Sequence, residues 1–302
     1  MPQPTTSHSA PTAPRVPLPA VLVLVLFVYA CAIYVNLSLA VRNSADYRFF
    51  PPFRRHENAN QNHTLAMENF NIARSLSTGQ GFAHPFNGPT GPTAWMPPIL
   101  PGIEAGLLWV SGGNREAVMA VVVFLQLNVL IGTGLLVLRQ AGQTTRRVGT
   151  GLAVAAFVGG MLIHFDYCFQ TTQDCWLVLL AVDLLMAGFC WWRPLHSWRR
   201  AAGWGLLGGV CALINPIAGF AWGALSFLMV VGPASRPGPG AEAPLGSRGL
   251  PALARLGVAV LVAGLTLTPW TCASPTSSSR PNNFRTAFPD GSAGRRPAWQ
   301  RD

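Results

Sequence analysis

Hydrophobic residues in this chain fall into long runs separated by short connectors that carry arginine. The first run, residues 17–41, is long enough for a helix rising about 1.5 Å per residue to cross a bilayer. A cleaved signal peptide is the rival reading. It is opposed by the single preceding Arg15, the length of the run and the lack of a small-x-small site, and Tyr29 spoils the lipoprotein-like stretch Val28 to Cys31. Further runs at 117–138, 148–164, 175–192 and 252–270 predict spanning helices. Between 201 and 231 the run is interrupted at Asn215-Pro216, and the connectors on both sides, 193–200 and 236–255, bear arginine. An even number of crossings should then separate those connectors, which predicts two short helices meeting at Asn215-Pro216. The expectation is an all-α polytopic membrane protein with about seven transmembrane helices, its N-terminus in the cytoplasm and a large first extracytoplasmic loop at 42–115. No internal repeat is visible.

Within that loop, Leu65, Ile72 and Leu76 fall on one face at helical spacing, with Glu68 at the edge of the face. Gly79 is placed to end this helix. Residues 81–98, rich in Gly, Pro, Thr and aromatics, then have no regular period, and Pro97-Pro98 open a short apolar segment, 99–110. That segment is too brief to cross unaided and is expected to lie along the membrane surface. A long aromatic loop between hydrophobic spans is more often a binding loop than a connector.

Composition agrees with a membrane-embedded chain: half of the 302 residues are hydrophobic, 11% are charged, and the mean hydropathy is +0.33. Ten Trp and sixteen Phe suit interfacial aromatics, and the expected partner is the lipid bilayer. All 21 basic residues are Arg, which a GC-rich genome would explain. The net charge of +10 comes from arginines scattered over short loops, not gathered in a stripe, so nucleic acid is not an expected partner. The six cysteines lack zinc-site spacing. Residues 1–16, rich in Pro, Thr and Ser, and the polar stretch 271–302 read as disordered tails around a membrane domain at 17–270.

Several segments resemble, in the same order, bacterial GT-C-type glycosyltransferases, relatives of the protein O-mannosyltransferases and aminoarabinose transferases. They are E-x-x-x-I-A-R-S-L (Glu68, Ile72 to Leu76), G-Q-G-F (Gly79 to Phe82), H-P-F (His84 to Phe86) and G-P-T-A-W-M-P-P (Gly91 to Pro98). Weaker echoes are L-I-N-P (Leu213 to Pro216) and T-P-W (Thr268 to Trp270). The resemblance implies an inner-membrane, multi-pass enzyme that moves a sugar from a polyprenyl-phosphate donor to a glycan, lipid or protein acceptor. It implies no dedicated cofactor or metal, the lipid-linked sugar being a co-substrate. It stops at Trp270, where relatives continue with further spans, which suggests truncation or a frame change after Thr271.

Such a transfer needs a carboxylate to take the acceptor's proton and cations to steady the departing phosphate. Glu68 occupies the family's motif position, and Asp46 lies soon after the first span. The Asp-Glu pair of some relatives is missing there, so both stand as the base, and a Glu68 merely paired with a nearby Arg is the structural alternative. Arg74 is the expected phosphate contact, with His84, Thr93 and Trp95 available to the acceptor or head group; Trp95 is equally an aromatic-belt residue. Asp183, deep in the fourth run, is an expensive group that suggests an ion path in a transporter or channel subunit. Its structural alternative is a neutral acid bonded to Gln126 or Asn128, which themselves need partners inside a bundle. Proton-coupled uptake lost in Asp183→Asn, with Glu68→Gln silent, would favour transport. An inactive fragment is the third reading. His164, Asp166 and Asp174 with Cys168 and Cys175 match no trusted metal spacing.

Overall fold

The computed structural model describes residues 16–40, 47–48, 50–54, 67–86, 89–94, 96–144, 147–164, 168–169, 174–231 and 246–273. Asp46, Trp95, Asp166 and nearly all of the two predicted tails lie outside these residues; residues 271–273 continue the last helix. The described chain is helical apart from an antiparallel pair of two-residue strands, β1 (Tyr47–Arg48) and β2 (Phe53–Arg54). Its helices are α1 (Leu18–Ala40), α2 (Met67–Ser77), α3 (Ile99–Val110), α4 (Arg115–Thr144) and α5 (Arg147–Ile163). Then follow α6 (Cys175–Ala187), α7 (Trp198–Ile214), α8 (Pro216–Val231) and α9 (Gly246–Ala273).

Among the described residues four segments are long and apolar enough to cross a membrane: Leu18–Val35, Arg115–Ala141, Cys175–Trp192 and Pro251–Trp270. The third includes a π-helical turn, Gly188–Trp192, that extends α6. The apolar parts of α3, α5 and α8 are shorter. This makes the protein an all-helical, multi-pass membrane protein by length and composition.

The break at Asn215-Pro216 is present and has a local cause. Pro216 has no N–H to continue α7, and the residue before a proline is pushed toward extended backbone. Asn215 accordingly sits at φ −162°, ψ 132°. Its N–H donates to the Cys211 carbonyl, closing α7, while its Oδ1 accepts from the Ile217 N–H at 2.9 Å, opening α8. Gly79 likewise ends α2 at φ +78°. Gln80 N–H donates to Ser75 O at 2.8 Å and Gly79 N–H to Leu76 O at 3.1 Å, the paired bonds of a Schellman end.

α7 is the centre of the packing, lying against α6, α8 and α9. It approaches α9 through Gly205 and Gly209. A side chain at 205 would run into the Ala259 main chain, and one at 209 would meet Thr266 Cβ at 2.5 Å. Small residues four apart allow such backbone contact between helices. α7 and α8 are tied by a closed polar exchange. The fully buried Trp204 indole donates to Ser226 Oγ at 2.8 Å, and the Trp222 indole donates back to the Trp204 carbonyl at 2.9 Å.

Candidate functional site

The chain after α2 is held by its own main chain and by the helices beneath. His84 N–H donates to Gly91 O and Thr93 N–H to Phe82 O, both at 3.0 Å, so residues 82–84 and 91–93 form a short antiparallel clasp. Asn71 Nδ2 on α2 donates to the Pro85 carbonyl at 3.1 Å. The Phe82 ring meets Trp270 of α9 edge-on, centroids 4.6 Å apart. The loop is thereby fastened to the far end of the last helix.

Beneath the rest of the loop lies a groove of about 520 Å³. Ala94, Met96, Pro97 and Pro98 form its lip, Gly208, Ala212 and Leu213 of α7 one wall, and Pro216, Phe220 and Trp222 of α8 the other. Ala263, Leu267 and Trp270 of α9 complete it. Its surface is mainly apolar. Gly208 is required because a side chain there would overlap the Trp222 indole. Three segments far apart in sequence, Trp-Met-Pro-Pro, Leu-Ile-Asn-Pro and Thr-Pro-Trp, each contribute lining residues to this one groove.

Polar groups gather at the same end of the bundle. Asn215, between lining residues Leu213 and Pro216, donates through Nδ2 to Asp174 Oδ2 at 3.3 Å. Arg74, in the last turn of α2, is exposed and within electrostatic range of Arg115 at the start of α4. Glu68, in the first turn of α2, is half-buried. Six residues apart on one helix, Glu68 and Arg74 project about 120° away from each other, and neither lines the groove. His84 adopts φ +58°, and its Nδ1 accepts from the Gly91 N–H at 3.0 Å. That bond leaves the ring's other nitrogen to carry the proton of the neutral form, and gives His84 a part in closing the loop. Thr93 is half-buried within the clasp.

The intramembrane polar residues find different partners from those expected. Asp183 Oδ2 accepts from Thr133 Oγ1 at 2.6 Å, not from Gln126 or Asn128. Thr133 sits seven residues beyond Gln126 on α4, where the helix faces α6. Gln126 is buried and donates to the Cys168 carbonyl at 2.8 Å. Asn128 is exposed on its helix and donates to Phe124 O one turn back at 2.7 Å, so it needs no bundle partner. Among the described residues no three or more His, Cys, Asp or Glu side chains form a metal-sized group. Burial and the neighbouring Cys175 push the Cys168 thiol up to about 11, keeping it protonated.

Sequence reasoning missed Glu104. Helix α3 packs against α2 and α4, burying Leu100, Pro101, Glu104, Ala105 and Leu108. Glu104 is fully buried, and neither carboxyl oxygen has a hydrogen-bond partner among the described residues. Burial alone pushes its carboxyl well above the usual carboxylate range, which favours the protonated form. The available signal was a single acid inside an otherwise apolar twelve-residue helix. Compared with protein-family models, curated proteins and solved structures, the chain has no significant match.

Proposed function

We propose that this protein is a GT-C-type membrane glycosyltransferase that moves a sugar from a polyprenyl phosphate to an acceptor outside the cytoplasmic membrane. In this reading the chain crosses the inner membrane seven times from a cytoplasmic N-terminus, with α5, α7 and α8 as short crossings beside the four long segments. The observation that carries the reading is the convergence of the loop lip, the α7–α8 break and the end of α9 on one apolar groove. They include one of the strongly matching segments, Gly91 to Pro98, and the two weaker echoes of the family resemblance. An apolar cleft with a few polar groups at its edge suits a lipid tail whose charged head stays at the rim.

The chemistry is a displacement at the sugar's anomeric carbon. The acceptor oxygen forms the new bond, its proton passes to an outer-loop carboxylate, and the bond to the phosphate oxygen breaks as polyprenyl phosphate leaves with the electron pair. Glu68 is the proposed base, with Asp46 the second choice among the acids of the loop. Arg74, with Arg115 beside it, supplies positive charge for the departing phosphate. The groove takes the prenyl chain, the clasp bearing His84 and Thr93 faces the acceptor, and Trp95 is a further candidate to stack on it.

Release of polyprenyl phosphate by purified protein supplied with the lipid-linked sugar tests this. Turnover by the native chain and a loss of about 10²–10⁴-fold in Glu68→Gln are expected. Loss in Asp46→Asn with Glu68→Gln unaffected would move the base to Asp46. No turnover by the native chain over a panel of sugar donors would overturn the proposal.

A further inference from the structure

The end of the bundle opposite the groove holds a group of guanidiniums for which sugar transfer has no use. Arg139, near the end of α4, lies over the Trp191 ring at 4.4 Å. Arg200 on α7 donates through Nη1 to the Trp192 carbonyl at 3.0 Å. Arg255 on α9 donates through Nη1 to the Leu195 carbonyl at 2.9 Å and sits 5.8 Å from the Trp198 ring. Three helices thus deliver three cations to one turn, residues 191–198.

Their acceptors here are main-chain carbonyls and ring faces, which fix a guanidinium without cancelling its charge. No Asp or Glu occurs in the sequence between Asp183 and Glu242, and Glu242 is the only one between Asp183 and Asp290. Each carbonyl occupies one of the five N–H donors of its arginine. The Nε of Arg255 is buried with no partner among the described residues, a donor in need of an acceptor. Topology alone would require only that arginines be numerous on one side. It does not require them to be pinned, and pinned side chains lose little further freedom on taking up an anion.

The depth of the group identifies the occupant. Arg139 and Arg255 fall near the ends of two membrane-length segments, Arg115–Ala141 and Pro251–Trp270, and the ends of a spanning helix are where it meets lipid head groups. Trp192 and Trp198, 38% and 52% exposed, stand on the same turn as interfacial indoles. We propose that this turn is a binding site for the phosphate of an anionic phospholipid in the adjoining leaflet.

The test uses the purified full-length chain in neutral detergent, titrated with phosphatidylglycerol, phosphatidylcholine or inorganic phosphate while thermal unfolding is followed. Phosphatidylglycerol should raise the midpoint, whereas phosphatidylcholine and inorganic phosphate should not. The double variant R200Q/R255Q should need about thirtyfold more phosphatidylglycerol for the same shift, as removal of two near-surface cations implies. If that variant does not fold, R193Q/R199Q, at one exposed position within the turn and one just after it, should weaken the response in the same direction. An equal shift with phosphatidylcholine, or an undiminished phosphatidylglycerol response in the folded variant, would overturn the proposal. An equal shift with inorganic phosphate would replace the lipid site by a free-anion site.

Discussion

At one end of the bundle Arg139, Arg200 and Arg255 are anchored on the indoles and carbonyls of a single turn. At the other, Pro97, Pro98 and Pro216 border an open apolar groove. The difference begins with the backbone. Helices leave their last carbonyls unsatisfied, and a cation there gains both a hydrogen bond and the attraction of the helix dipole. The turn after α6 is built to receive such cations. Prolines have no N–H to satisfy, so a proline lip stays apolar without drawing polar side chains across the opening. One end is held together by polar bonds and leaves only unused guanidinium N–H groups for an anion, whereas the other presents an open apolar groove. Each end also buries a polar group without a partner among the described residues, the Glu104 carboxyl at the groove end and Arg255 Nε at the other.

The largest expected effect comes from breaking the part that both ends share. Gly205→Leu drives a side chain into the Ala259 main chain and should destabilise the fold by about 3 kcal/mol. Thermal unfolding in detergent would measure this, and both the groove and the Arg255 contact should be lost together. Survival of either with native stability would mean that the ends are built independently.

Glu104 should produce the next largest effect, with the opposite sign. Glu104→Leu removes a buried group without partners and should stabilise the protein by about 1–3 kcal/mol near pH 8. The pH dependence has a definite direction. Because the folded state holds this proton more tightly than the unfolded chain, its stability is greatest below the ordinary glutamate pKa of about 4.3. It declines as pH rises from there toward the raised value. Unfolding midpoints of Glu104→Gln should lack this component of the decline.

Trp270→Ala should separate the roles of the two ends. Loss of the edge-on contact with Phe82 is expected to cost about 0.5–1.5 kcal/mol. Donor turnover should fall by more than that loss explains, since the groove loses its end wall and the loop its fastening. Arg139→Ala, by contrast, gives up a ring contact worth about 0.5–1 kcal/mol at an exposed site and should leave turnover unchanged. Equal turnover defects in both variants would erase the functional distinction between the ends.

Local chemistry made much of the fold readable. The α7–α8 break follows from Asn-Pro, the end of α2 from Gly79, and the long apolar runs from their length. Other features depend on what meets what. Asp183 pairs with Thr133 because α4 and α6 cross at that level, and no spacing in the sequence announces the pair. That the segment 99–110 is too short to span is visible in sequence, whereas its packing against α2 is not. The groove was legible only as three separated fragments. That they adjoin is a product of tertiary packing, and so is the separation of Glu68 and Arg74 from its lining.

Photo-crosslinking with a polyprenyl phosphate that carries a benzophenone on its prenyl chain, followed by peptide mapping, tests the groove most directly. A groove that takes the lipid predicts labelling of the α8 segment around Phe220 and Trp222 and of the end of α9 near Leu267 and Trp270, suppressed by Ala212→Trp. Labelling confined to the outward faces of α1 and α5, and unchanged by Ala212→Trp, would contradict it.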